Sequence, residues 1–257
     1  MFDPLRPTLA ARLAQGPCLG VAWCALGSAA LVEVAARARP DAIVLDQQHG
    51  LWERRELESA IGLVPSGIPV LVRVAENSAL AIGTALDAGA EGVIVPLVES
   101  AEAAAQAVRA SRYPPRGLRS AGGVRPLQDF ERYAQGAQAV AAIPMIETRA
   151  GLAQAGAIAA AEGVAMVFIG PGDLALSLGV APGQAEHAAA CAAIRAACAA
   201  AGIACGIFTA TAEAAAARRA EGYRLVVVAS DIGLATQGFA AAMQRFAHDG
   251  GTSRETA

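Results

Sequence analysis

The residues best suited to chemistry in this chain are two carboxylates, Glu147 and Asp173, one histidine, His49, and one arginine, Arg73. Each sits at the end of a short apolar run. Glu147 follows AIPMI, Asp173 follows MVFIGPG, His49 follows AIVLDQQ, and Arg73 closes VLVR. Two carboxylates that reach one point offer hard oxygen ligands, which suit Mg2+, Mn2+ or a similar ion with positions left open for water and substrate. Such an ion can chelate a 2-oxo acid through its carboxylate and ketone oxygens. It then stabilises the enolate formed on C3 deprotonation or on retro-aldol cleavage. The competing explanation is structural: Asp173 as a helix N-cap, because Leu-Ala-Leu follows it, and Glu147 in a surface ion pair.

His49 stands beside Asp46 at a run end, which makes it a candidate general base; the bland alternative is a structural histidine. His187 and His248 read as solvated. Arg73 inside an apolar run is costly unless it meets an anion, and a substrate carboxylate or enolate oxygen would supply one. Gly170-Pro171-Gly172, just before Asp173, exposes backbone N–H groups at a helix start, a ready carboxylate site to which Pro171 adds no donor.

Composition narrows the chemistry further. All 20 basic residues are Arg. A chain without lysine forms no Schiff base with a carbonyl substrate, holds no pyridoxal phosphate covalently, and lacks the lysine of a phosphate-binding loop. A metal ion is the natural replacement electrophile. The net charge is −3 and no long basic run occurs, so neither nucleic acid nor an anionic membrane is an expected partner. Five cysteines, none in a Cys-x-x-Cys pair, read as small buried hydrophobes in a reducing cytoplasm. The uncharged stretch 13–32 follows Arg6 and Arg12 and mimics a signal peptide. Gly16, Pro17, Gly20 and Gly27 interrupt it, so it reads as a buried strand followed by a helix start.

These residues need a scaffold that brings run ends together. Eight apolar runs recur, at 20–26, 42–46, 69–74, 92–96, 142–147, 166–171, 204–209 and 225–231. They are continuous rather than alternating, as in parallel strands covered on both faces. Plausible helices lie between them at 28–38, 54–63, 79–88, 101–111, 151–161, 186–201 and 211–221. Several end in a glycine turn. The length of 257 residues and the β-then-α alternation predict an α/β fold, a (β/α)8 TIM barrel in a single domain over residues 1–248. An open doubly wound sheet is the alternative, disfavoured because no glycine fingerprint follows the first run. Residues 114–138 read as a long connection, and 249–257 as a disordered tail. Active sites of such barrels lie at the C-terminal ends of the strands, where the polar residues above cluster.

IPMIETRAGL (143–152) followed by GVAMVFIGPGDLALSLG (163–179) resembles the HpcH/HpaI aldolase family. So do DAIVLDQQHG (41–50), VLVRV (70–74), ALDAGAEGVIVPLVESAEAA (85–104) and RYPPRGLRS (112–120), in family order across nearly the whole barrel. The resemblance implies class II, metal-dependent cleavage of 4-hydroxy-2-oxo acids to pyruvate and an aldehyde, using Mg2+, Mn2+ or Co2+. It implies Glu147 and Asp173 as metal ligands, His49 as base, and Arg73 as stabiliser of the enolate. It implies that Asp87 raises the basicity of the histidine, within the chain or from a neighbouring subunit. Gly172 would offer its N–H to the substrate carboxylate, with Gly170 beside it, in homo-oligomers built as hexamers, trimers of dimers.

The departures bear on the acceptor. Gln48 stands where the family often has Glu, and Met145 where it often has a substrate-contacting Gln. Gly50-Leu51-Trp52 replaces Ala-Pro-Asn, and Arg119-Ser120 replaces Arg-Gly. The same scaffold also carries a citrate synthase acting on oxaloacetate and acetyl-CoA, the alternative function.

Overall fold

The computed structural model describes residues 7–249; the predicted tail lies outside the described residues apart from Asp249, the last residue of the final helix. Eight parallel strands close into a barrel: β1 (Leu19–Cys24), β2 (Ala42–Asp46), β3 (Val70–Arg73), β4 (Gly92–Val95), β5 (Ala141–Ile146), β6 (Met166–Ile169), β7 (Ala204–Ile207) and β8 (Leu225–Ser230). β1 pairs with β8, which excludes the open sheet. All eight predicted runs are strands; the structure trims seven of their C-terminal ends by one or two residues, and β1 and β5 start one residue earlier than predicted.

Side-chain alternation sorts each strand between two cores. Leu19, Val21 and Trp23 of β1, Val44 of β2, Leu71 of β3, Ile143 and Met145 of β5, and Phe168 of β6 fill the barrel interior. Ile43, Leu45, Val72, Val93, Ile146 and Val167 pack outward under the helices. The same period of two turns Asp46, Arg73 and Glu147 inward at the strand ends. That is how an ordinary apolar strand delivers a charged group to the barrel mouth.

Helices start where the sequence offers caps. The hydroxyls of Ser28, Ser78, Ser100 and Thr211 each accept a backbone N–H three residues on. The predicted glycine turns hold, with Gly89, Gly163 and Gly222 at φ 107°, 85° and 96°.

Several elements differ from expectation. The helix predicted at 151–161 is two short ones, Arg149–Ala153 and Ala155–Ala159, broken at Gln154. The 114–138 connection contains a 3-10 turn, Pro126–Gln128, and a helix, Phe130–Ala137. The helix Leu9–Gln15 was not expected; its Leu9 and Leu13 join the barrel-interior core and plug the N-terminal rim. Pro171–Leu178 is a full helix rather than a start alone, and β8 is followed by a long one, Asp231–Asp249. No helix among the described residues is long and apolar enough to cross a membrane.

Candidate active site

At the C-terminal mouth a cavity of about 440 Å3 is walled by Trp23, Arg73, Met145, Asp173, Leu176, Pro182 and Phe208 together with Gly170–Gly172. A larger hollow, about 740 Å3, opens at the opposite rim. There Arg12 faces Asp41 and Arg37 faces Glu33, and none of the candidate catalytic residues lines it.

Glu147 directly follows β5 and is 1% exposed, which rules out the surface ion pair. Its Oε1 accepts the N–H of Leu97 at 2.8 Å, and its Oε2 is buried with no hydrogen-bond partner. Leu97 supplies that N–H from the left-handed region, at φ 55°. Burial drives the Glu147 carboxyl up to about 7; the Leu97 N–H opposes this, the charge of Asp173 adds to it, and Arg73 opposes it. Asp173 is not an N-cap either. Gly170 is the N-cap, Pro171 is the first helical residue, and Asp173 lies in the first turn. Gly170 cannot be replaced cheaply: a Cβ there would lie 2.5 Å from Met145 Cε and 2.6 Å from Glu147 Oε2.

An orphaned, buried carboxylate oxygen beside a second carboxylate fits a hard divalent cation. No group of three or more His, Cys, Asp and Glu side chains that could hold a metal ion gathers among the described residues. A bound cation would have to displace the Glu147 proton below pH about 7. Apparent affinity is therefore expected to fall about tenfold per pH unit as pH drops from 7 toward 5, read by Mn2+ titration calorimetry.

Arg73 does meet an anion, and it is one the protein provides. Its Nε and Nη2 donate to Asp46 Oδ1 and Oδ2 at 2.8 and 2.5 Å. The two residues face each other across the β2–β3 register, buried, with the guanidinium 5.1 Å from the Trp23 ring centroid. Asp46 also accepts from Trp23 Nε1 at 3.3 Å and from the backbone N–H groups of Gln48 and His49 at 3.1 and 3.4 Å. Burial alone would raise the Asp46 carboxyl; the Arg73 guanidinium and these N–H donors hold it below its ordinary value. Asp46 was noted in the sequence only as a neighbour of His49. The signal missed was the alignment of two charged strand ends, Asp46 and Arg73.

His49 lies three residues past β2, exposed, at the same mouth. Gln48 is half-buried, with its Oε1 lacking a partner. Asp87 is not brought to them within the chain. It ends the helix Ala79–Asp87, which runs back to the N-terminal rim, where Glu91 N–H bonds the Val70 carbonyl at the start of β3. There Asp87 accepts from Arg119 Nη2 at 2.6 Å.

His187 is not solvated but buried. Its Nδ1 accepts the Gly183 N–H at 3.1 Å, and its Nε2 lies 2.9 Å from the Pro171 carbonyl, which makes Nε2 the donor. It ties the helix Ala185–Ala200 to the first turn of the helix that carries Asp173. His187→Ala leaves that carbonyl and N–H unpaired and is expected to destabilise the fold by about 1–3 kcal/mol, read by denaturant unfolding. Asp231, another rim carboxylate, is structural: it accepts the N–H groups of Ala25 and Leu26 at 3.0 and 2.9 Å, joining β8 to the end of β1.

Known proteins resemble this chain over most of its length. The model of the HpcH/HpaI aldolase/citrate lyase family matches residues 20–238. A hydroxypyruvate/pyruvate aldolase of Rhizorhabdus wittichii is 38% identical over 219 residues, 82% of this chain and 87% of that protein. The crystal structure of an HpcH/HpaI aldolase/citrate lyase family protein from Burkholderia cenocepacia superposes with a TM-score of 0.87 at 34% identity, over 93% of this chain and 98% of that one. A citrate synthase, SbnG, superposes with a TM-score of 0.82 at 28% identity, over 95% and 98%. The chain thus belongs to the HpcH/HpaI aldolase/citrate lyase family and is a carbon–carbon lyase on a (β/α)8 barrel.

Proposed function

We propose that the protein cleaves a 4-hydroxy-2-oxo acid to pyruvate and an aldehyde, and runs the reverse condensation, with a divalent cation (Mg2+, Mn2+ or Co2+) held by Glu147 and Asp173. The observation that carries this reading is the buried, unpartnered Oε2 of Glu147 beside Asp173 at a barrel mouth that also holds Arg73. The cation supplies positive charge next to the developing enolate oxygen.

The chain's own residues do the rest. Gly172, in the first helical turn beside Gly170, offers its N–H to the substrate carboxylate. Arg73, fixed by Asp46, presents a set positive charge to the oxyanion. His49 takes the proton from the C4 hydroxyl as the C3–C4 bond breaks; the bond electrons pass to the enolate, and C3 then takes up a proton to give pyruvate. Asp87 supports His49 from a neighbouring subunit, since its own barrel keeps the two on opposite rims. Gln48 and Met145 complete the substrate surroundings.

Self-association as a hexamer, a trimer of dimers, belongs to the same reading. Two features support it. The final helix exposes Leu234, Phe239, Met243 and Phe246. Val228 of β8, part of a groove with Gly20, Ala212 and Ala216, is left uncovered by that same helix. The setting is cytoplasmic: the five cysteines are free thiols, four of them buried.

The test is a coupled pyruvate assay on a 4-hydroxy-2-oxo acid after chelation and re-addition of Mn2+. Metal-restored pyruvate release is expected. The likeness to a citrate synthase favours one second reading, condensation of oxaloacetate with acetyl-CoA. Citrate formation without pyruvate release would establish that reading instead.

A further inference from the structure

The cavity is chemically lopsided. Its polar wall is Arg73, Asp173 and the backbone of Gly170–Gly172; the rest is Trp23, Met145, Leu176, Pro182 and Phe208. Trp23 is stacked against Phe168 at 5.8 Å and meets Phe208 edge-on at 5.4 Å, so the aromatic floor is braced from below and from the side. Met145 is buried against Gly170. Leu176 lies three residues beyond Asp173 on the helix Pro171–Leu178, hence on the same helix face, and is 78% exposed. Among the described residues that wall the cavity, Arg73 is the one cation, and two of its nitrogens are already held by Asp46. A carboxylate or phosphate at the far end of an acceptor would leave water there without gaining a counter-charge. A hydrocarbon chain would gain the wall.

We propose, building on the aldolase reading above, that the acceptor aldehyde is apolar, an aliphatic or aryl aldehyde whose hydrocarbon part lies on Leu176, Pro182, Phe208 and Met145. In the condensation, C3 of pyruvate loses a proton to the base and bonds the aldehyde carbon. The aldehyde oxygen takes up a proton and becomes the C4 hydroxyl. No electron donor or acceptor is needed.

The experiment uses the Mn2+-loaded protein with pyruvate and measures kcat/KM for propanal, butanal, pentanal, hexanal, benzaldehyde and succinic semialdehyde. Each methylene buried on the wall is expected to raise kcat/KM about threefold to fourfold from propanal to hexanal. Succinic semialdehyde is expected to fall about tenfold or more below butanal, which has the same number of carbons. Leu176→Arg places a cation on the wall at an exposed helical position and is expected to shift the hexanal-to-semialdehyde ratio at least tenfold toward the semialdehyde. A flat chain-length series, or a semialdehyde as good as butanal, overturns the proposal while pyruvate C3 proton exchange continues. Loss of that exchange in the wild-type protein overturns the aldolase reading itself, and the acceptor assignment with it.

Discussion

Asp46→Asn is expected to destabilise the protein by about 3–5 kcal/mol, because it leaves the Arg73 guanidinium buried without its counter-charge. Both partners are nearly inaccessible, at 2% and 7% exposure, so water cannot replace the lost carboxylate. The isosteric amide keeps the shape but turns one acceptor into a donor that faces the guanidinium. Urea unfolding midpoints measure the loss. Activity should fall with it even where the protein stays folded, since Arg73 then has no fixed direction. Arg73→Lys should fail as a rescue, because an ammonium cannot make the two-pronged contact. A destabilisation below 1 kcal/mol would mean that the pair is solvated and the guanidinium is placed by something else.

Glu147→Gln is expected to have effects of opposite sign on stability and on activity. In the metal-free fold the carboxyl titrates near 7 rather than 4.5, because burial disfavours its charged form. The folded state therefore holds a proton that the unfolded state has given up. Its contribution to stability is fully present below pH 4.5 and is lost as pH rises through about 7, a change of roughly 3 kcal/mol across that window. The neutral amide has no such titration. Chelated Glu147→Gln should thus equal or exceed the wild type in thermal stability at pH 8, and the wild type should lose its disadvantage at pH 5. Metal-dependent pyruvate release by the same variant should drop at least a hundredfold, and Mn2+ should no longer raise its melting temperature. A variant that loses stability at pH 8 would show that the ionised carboxylate is satisfied inside the chain and has no need of a cation.

The barrel was legible because continuous apolar runs, glycine turns and capping hydroxyls recur with a fixed order, and each is a local property. Alternation within the runs then fixes which end residues point inward, so Glu147 and Arg73 emerge from strand position alone, whereas Asp173 comes from the first turn of the helix after β6. What local patterns could not supply was pairing. The Asp46–Arg73 contact depends on the β2–β3 register, and the His187–Pro171 contact on how one helix packs beside another. The N-terminal plug was missed for another reason: a seven-residue helix with two apolar anchors carries too little periodicity to stand out. The Leu97 conformation is tertiary in origin, since nothing in its own sequence calls for a positive φ; its N–H is drawn to Glu147.

This barrel mouth is expected to bind pyruvate and to remove a C3 proton from it with a cation on Glu147 and Asp173. Proton NMR of pyruvate in heavy water tests it without knowledge of the aldehyde. The chelated protein should leave the methyl signal intact, and Mn2+ or Mg2+ should restore its loss in the wild type but not in Glu147→Ala or Asp173→Ala. No exchange with any divalent metal, in a protein whose folding is verified, would contradict a metal-assisted pyruvate site and direct attention to oxaloacetate and acyl-CoA.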